Sequence, residues 1–189
     1  MPKLYFRYGA MNSSKTSNLL MVAHNYQTLK RKILLMKPKI DIRTVGNIKS
    51  RIGIQKDVDV LIDSYTDLLT IDYTSVDCVL VDEAQFLSPN HVDQLRKISN
   101  QVPVICYGLR TDYRTKMFPG SQRLMELADT IEEIKTVCVD CPCKAIINAK
   151  YFLKNNQICL IKDGSSDPDI GAEEKYRAMC WSCWSKNPV

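Results

Sequence analysis

The chain has 189 residues, with 26 Lys and Arg against 21 Asp and Glu and a formal net charge of +5. That length accommodates one full domain, or one with a small appendage, and leaves no room for a multi-lobed machine such as a two-lobed helicase core. The charge is spread without a long Lys or Arg block, which suits small polyanions as readily as nucleic acid, and no apolar stretch reaches membrane-spanning length, so a soluble cytoplasmic protein is expected.

The first apolar run, Leu4-Tyr5-Phe6-Arg7-Tyr8, reads as a strand and leads directly into Gly9-Ala10-Met11-Asn12-Ser13-Ser14-Lys15-Thr16. This octapeptide has the length, lysine and hydroxyl of a phosphate-binding loop, G-x-x-x-x-G-K-[ST], with Ser14 where the second glycine is expected. Such a loop needs backbone N–H groups aimed at phosphate oxygens and a helix N-terminus behind them. Serine adds only a Cβ and a hydroxyl, and it fits if position 14 does not demand positive φ. Lys15 would then contact the β- and γ-phosphates and the Thr16 hydroxyl would bind Mg²⁺. The competing reading is a plain helix cap from Asn12, Ser13 or Ser14, and the position just after a strand favours the phosphate loop.

Helical spacing continues from Thr16 to about Lys30, and Ile33-Leu34-Leu35-Met36 reads as a buried strand. Strands alternating with helices imply an α/β fold with a parallel sheet and flanking helices. Asp41-Ile42-Arg43 and Ser50-Arg51-Ile52-Gly53 follow the second strand, where loops reach the nucleotide edge of such sheets. The next apolar strand, Cys78-Val79-Leu80-Val81, ends in Asp82-Glu83. Adjacent side chains diverge at a strand end, so Asp82 can face Mg²⁺ while Glu83 points to a reacting group as general base; the alternative is an acidic turn that caps the next element. Val92, Leu95 and Ile98 have helical spacing, and Val102 to Tyr107 reads as a strand with Pro103 near its start. His24 and His91 fall in these helices without a neighbouring nucleophile and are expected to be solvated or packed. Ser121 to Ala128 predicts a short helix with Leu124, Leu127 and Ala128 inward, and the alternating Ile131 to Val137 predicts a strand that delivers the chain to Cys138. The βα rhythm stops near Val137, which predicts one unit over residues 1–137 and a second over 138–189.

Eight cysteines in a chain of this length, most of them in its C-terminal third, suit metal binding better than a secreted disulfide scaffold. Cys138 and Cys141 form one C-x-x-C and Cys180 and Cys183 a second, enough thiolates for a tetrahedral Zn²⁺ site that clasps the ends of a long excursion. Cys143 is an alternative ligand, while Cys78, Cys106 and Cys159 lie in apolar runs and are expected to pack as small hydrophobes. Beyond Ala145 to Phe152, which is strand-like, Lys162 to Gly171 reads as an irregular loop.

Together these segments resemble the cytosolic thymidine kinase family, the type with a zinc-bearing C-terminal domain. The resemblance covers nearly the whole chain and rests on Gly9 to Thr16, Asp41 with Arg43, Asp82-Glu83-Ala84-Gln85-Phe86, Tyr107-Gly108-Leu109-Arg110-Thr111-Asp112-Tyr113 and Tyr176 to Cys183; the second and third of the longer segments look particularly like bacterial members. It implies transfer of the γ-phosphate of ATP to the 5′-hydroxyl of thymidine, with Glu83 accepting the hydroxyl proton. Lys15, Thr16 and Asp82 would handle the triphosphate and Mg²⁺ with the rest of the loop, and Asp41, Arg43 and Gln85 would stand near them. Met11, Phe86, Leu109, Tyr113, Phe118 and Tyr176 match the family's nucleoside pocket, where aromatic faces stack on a base and exclude water. The loop Lys162 to Lys175, with Ile170 and Gly171, would fold over the base as a lasso whose backbone reads the polar edge of thymine, and structural zinc on Cys138, Cys141, Cys180 and Cys183 would fix its ends. The resemblance also implies a homotetramer inhibited by thymidine triphosphate, with no membrane or nucleic-acid partner. Two other readings compete: another phosphate-loop ATPase with a zinc clip, and a nucleic-acid-binding zinc ribbon whose phosphate loop is inactive. Against the second stand the scattered positive charge and the lack of a basic aromatic stripe near the cysteines.

Overall fold

A computed structural model describes residues 1–41, 46–155, 157–164 and 175–187. Strand β1 (Leu4–Tyr8) runs into helix α1 (Lys15–Thr28), followed by β2 (Ile33–Pro38), the short strands β3 (Asn47–Lys49) and β4 (Gln55–Asp57), and β5 (Val60–Ile62). After a 3₁₀ turn at Leu68–Thr70 come β6 (Cys78–Val81), a second 3₁₀ turn at Ala84–Phe86, α2 (Pro89–Ile98), β7 (Val104–Gly108), α3 (Pro119–Leu127) and β8 (Thr130–Glu133). Strands β5, β2, β6, β7, β1 and β8 lie in that order in one six-stranded sheet, and every pairing is parallel.

Strands β6 and β7 are apolar along their whole length because both faces of the sheet are covered. On one face Phe6, Val79, Val81 and Val104 pack with Val92, Leu95 and Ile98 of α2 and Leu124 of α3. On the other, Leu35, Leu80, Ile105 and Tyr107 pack with Leu19, Leu20 and Ala23 of α1. The apolar spacing of α2 therefore marks its buried stripe, and its start is sharp: the Ser88 hydroxyl accepts a hydrogen bond from His91 N, and Pro89 occupies the first turn. His91 is buried, with Nδ1 3.0 Å from the Ser88 hydroxyl and Nε2 3.1 Å from Thr66 O, and so packs as expected; His24 is exposed. Burial pushes the Cys78 thiol up to about 11 and that of Cys106 higher still, in keeping with their packing as small hydrophobes; Cys159 is half-buried.

Among the predicted edges that move, two strand ends have a plain cause. The strand begins at Val104 and not Val102, because Pro103 offers only its carbonyl to the ladder, where it accepts Val79 N at 2.9 Å. The strand predicted over Ile131 to Val137 stops at Glu133, since its partner β1 ends at Tyr8, opposite Glu133. The chain then turns away, and Val137 instead bridges Lys144.

Beyond that point an antiparallel sheet of β10 (Gln157–Ile161), β9 (Ile147–Lys154) and β11 (Tyr176–Met179) leads into helix α4 (Trp181–Lys186). Ile147, Ala149, Leu160 and Met179 form its apolar centre with Cys138 and Cys180.

Candidate active site

Three neighbouring strand ends, those of β1, β6 and β7, carry most of the predicted site residues. The loop after β1 lies flat on its surroundings: Gly9 N donates to Gly108 O at 3.3 Å, and a Cβ on Gly9 would strike the Ile134 carbonyl and the Ser13 hydroxyl. Asn12 and Ser14 both occupy the left-handed region, with φ of 64° and 62°. Position 14 thus demands positive φ, which is why glycine is the usual residue there, and Ser14 meets the demand with a strained backbone and no side-chain cap. Lys15 folds back into the loop, its ammonium donating to Ala10 O at 2.8 Å, Gly9 O at 3.2 Å and Ser13 Oγ at 3.4 Å.

Alternation along the strands sets the faces of the acidic and basic groups. Val81 and Met36 lie in the α2 core, so Asp82 and Lys37, one residue on, fall on the α1 side with the loop of residues 9–16. Asp82 N donates to Met36 O at 3.0 Å, and its carboxylate accepts the Thr16 hydroxyl at 3.1 Å. Burial, and then the Glu83 charge, push the Asp82 carboxyl well above the usual carboxylate range. Glu83 is held at φ 50°, ψ 36°, a left-handed conformation that costs a non-glycine residue energy and recurs at functional sites. The adjacent acids have different partners, the Thr16 hydroxyl for Asp82 and the Gln85 amide for Glu83. Gln85 then steadies Glu83, its amide donating to Glu83 Oε2 at 2.6 Å while its oxygen accepts Leu109 N at 3.0 Å. Lys37 is 1% exposed, and its ammonium pairs with the buried Asp41 carboxylate at 3.1 Å and donates to Asn47 O at 3.2 Å.

The aromatic residues come from separate elements. Phe86 and Phe118 meet edge to face, 5.7 Å between centroids, over the 3₁₀ turn that follows Glu83. Gly120 allows α3 to press on that turn, since a Cβ there would lie 2.5 Å from Leu87 O, and the Ser121 hydroxyl donates to Leu109 O at 2.6 Å. Tyr113 is buried, with the Lys150 ammonium 5.2 Å from its ring centre and the Arg114 guanidinium at 5.9 Å, and its hydroxyl lies 3.5 Å from Asp163 O. Tyr176 stands opposite Lys150 in the β11–β9 pairing. The Met11 N–H donates to Asn148 Oδ1 at 2.7 Å. Arg43, Ile170 and Gly171 lie outside the described residues.

Asn148, Lys37, Gly120 and Ser121 were not marked by the motifs. Asn148 had a signal, a lone amide inside the apolar run Ala145 to Ala149, where an unsatisfied polar group would be costly. Lys37 had a similar one, a charge closing a buried strand. Gly120 and Ser121 had none, since their contacts depend on how α3 docks.

The sulfur atoms of Cys138, Cys141, Cys180 and Cys183 all lie within 4.8 Å of one another, and Cys143 is exposed outside this set. Ligands about 2.3 Å from a tetrahedral zinc stand about 3.8 Å apart, so the set fits with little adjustment. Backbone N–H groups of Asp140 and Cys183 point at Cys138 and Cys180 sulfurs at 3.5 and 3.4 Å, as thiolates would require. Among the described residues no helix is long and apolar enough to cross a membrane.

The thymidine kinase family model matches residues 2–184. A thymidine kinase of Chromobacterium violaceum is 43% identical over 187 residues, covering 97% of this chain and 98% of its own. Thymidine kinases of Lactiplantibacillus plantarum, at 42% identity with 95% and 94% covered, and Idiomarina loihiensis, at 39% with 98% and 97% covered, are similar throughout. Among solved structures, the Pif1 helicase from Candida albicans overlays with a TM-score of 0.42 at 9% identity, over 70% of this chain and 36% of that one, too slight a likeness to carry an argument.

Proposed function

The chain belongs to the thymidine kinase family, and on that footing we propose that it transfers the γ-phosphate of ATP to the 5′-hydroxyl of thymidine. The observation that carries the proposal is the divergence of two adjacent acids at the end of β6, one buried beside the phosphate loop and one turned aside by a left-handed backbone. Phosphoryl transfer asks for positioning and charge neutralisation more than covalent chemistry, and this separation serves both.

In this reading the amides of Gly9 to Thr16 cradle the phosphates, and Lys15 leaves its carbonyl partners for them. Thr16 and Asp82 would hold Mg²⁺, which supplies charge neutralisation at the phosphates; a hydroxyl and a buried carboxylate 3.1 Å apart are suitable hard oxygen donors. Asp41, fixed by Lys37, and Arg43 complete the charged edge. Glu83 accepts the proton of the attacking hydroxyl, with Gln85 orienting its carboxylate. Met11, Phe86, Leu109, Tyr113, Phe118 and Tyr176 wall the nucleoside, and residues 162–175, with Ile170 and Gly171, close over the base. We read 1–137 as the nucleotide unit and 138–189 as the zinc and lasso unit, with zinc structural because four thiolates leave no open position. The resemblance further supports a cytoplasmic homotetramer inhibited by thymidine triphosphate.

The test is ATP-dependent phosphate transfer to thymidine, deoxyuridine and deoxycytidine, followed by product separation. Transfer to thymidine is expected to exceed that to deoxycytidine; no transfer to any nucleoside defeats the reading.

A further inference from the structure

The phosphate loop is gripped from outside by a side chain of the smaller sheet. Asn148 is 3% exposed and uses both ends of its amide: Oδ1 accepts Met11 N at 2.7 Å, and Nδ2 donates to Thr111 O at 2.9 Å. The two partners assign the orientation of the amide, since an N–H can meet only the oxygen and a carbonyl only the nitrogen. No other side-chain type of that size offers one donor and one acceptor in this geometry. An aspartate would set its charge against the Thr111 carbonyl, and a leucine would leave both backbone groups buried without a partner.

The other side of Asn148 belongs to the cysteine cluster. Asn148 stands opposite Ala178 in the β9–β11 ladder, and Ile147 stands opposite Met179, the residue before Cys180. Val139, the residue after Cys138, donates its N–H to Ala178 O at 3.0 Å, and Ile146 N donates to Met179 O at 2.9 Å. Both C-x-x-C pairs therefore spring from the same short stretch of ladder that carries Asn148. On the loop side, Asn148 lines a shallow depression with Gly9, Ala10 and Thr111, so the amide stands where the loop meets the strand ends.

We propose that Asn148 is a positioning residue through which the tetrathiolate cluster sets the shape of the phosphate loop. The cluster fixes the register of β9 on β11, the register fixes Asn148, and Asn148 fixes the Met11 amide at the entrance of the loop. The inference rests on the ATP-binding reading of that loop. Asn148 makes no contact with the reacting atoms in this scheme; it acts through Met11.

The test uses the full-length, zinc-loaded protein and its Asn148→Ala variant, with a magnesium-bound non-hydrolysable ATP analogue titrated by calorimetry. Loss of one loop-anchoring hydrogen bond is expected to weaken the analogue roughly tenfold. Chelating the metal weakens binding in the parent and adds little in the variant, because the link is already cut. Amide exchange by NMR supplies a reading that does not depend on nucleotide: in the variant the Met11 amide exchanges faster while the Phe6 and Tyr8 amides keep their protection, and zinc content is unchanged. Analogue affinity within twofold of the parent, an equal effect of chelation on both proteins, or an unchanged Met11 amide overturns the inference. A parent that binds no analogue defeats the kinase reading instead, and the Met11 exchange still decides the role of Asn148.

Discussion

Replacing Ser14 with glycine should stabilise the protein. Ser14 is exposed, its hydroxyl caps nothing, and its φ of 62° lies in the left-handed region, so the substitution removes a Cβ from a strained backbone without opening a cavity. The strain for a non-glycine residue there is about 1–2 kcal/mol. Against this, the freer unfolded chain of a glycine variant costs about 0.4–1 kcal/mol. The net gain is then about 0.5–1 kcal/mol, which for a chain of this size raises the melting temperature by roughly 1–4 °C. Two variants serve as references. Ser14→Ala keeps the strain and should melt within about 1 °C of the parent on the same scale. Asn12→Gly, at φ 64°, should gain little because asparagine tolerates this region. Differential scanning calorimetry without nucleotide measures all three. Because the backbone already holds the left-handed shape, ATP affinity should change less than about threefold, equivalent to under 0.7 kcal/mol. A Ser14→Gly variant that melts no higher than Ser14→Ala would refute the assignment of strain to this position.

Four other expectations follow from the site. Glu83→Gln should bind ATP and thymidine normally by calorimetry yet lose at least about a hundredfold in turnover, the usual scale for a general base; near-normal turnover rules Glu83 out. Asp82, whose native carboxyl is raised by burial, keeps its proton in the folded state over a pH range where the unfolded state has lost it. Its contribution to stability therefore falls as pH rises from about 4 toward the raised native value, and Asp82→Asn should flatten that slope in magnesium-free melting curves. Lys37→Met removes a cation paired with the buried Asp41 carboxylate and should lower stability in urea unfolding by about 3–5 kcal/mol at most, and a double variant with Asp41→Leu should recover part of it. Cys143→Ser should retain full zinc by atomic absorption, whereas Cys138→Ser should not.

What could be read from the chain was what is local in it. The octapeptide after β1, an apolar strand ending in acids and paired C-x-x-C motifs each carry their pattern within a few residues; the structure sets Thr16 beside Asp82 and brings the four cysteine sulfurs together. Contacts decided by docking were opaque. Asn148 is 137 residues from Met11, and only the placement of β9 shows that its amide reaches the loop. The polar strands β3 and β4 carry almost no apolar pattern, and β5 is a short edge strand, so periodicity passed over all of them. Ser14 shows the converse: the motif marked the position as unusual, but only the backbone angle says what glycine would do there.

The Lys15 ammonium has a consequence for affinity. It is tied to two carbonyls and a hydroxyl of its own loop, so on the proposed reading a nucleotide arriving there would meet a charge with partners already in place. Binding would then be an exchange reaction, in which charge-assisted bonds to phosphate oxygens replace bonds to the loop, each worth about 1.5–3 kcal/mol net. Holding the loop together and grasping the ligand are alternative occupations of one side chain. Removing that charge would loosen the empty loop as well as the filled one, and a lysine-free variant would report the difference between the two states and not the strength of a single contact.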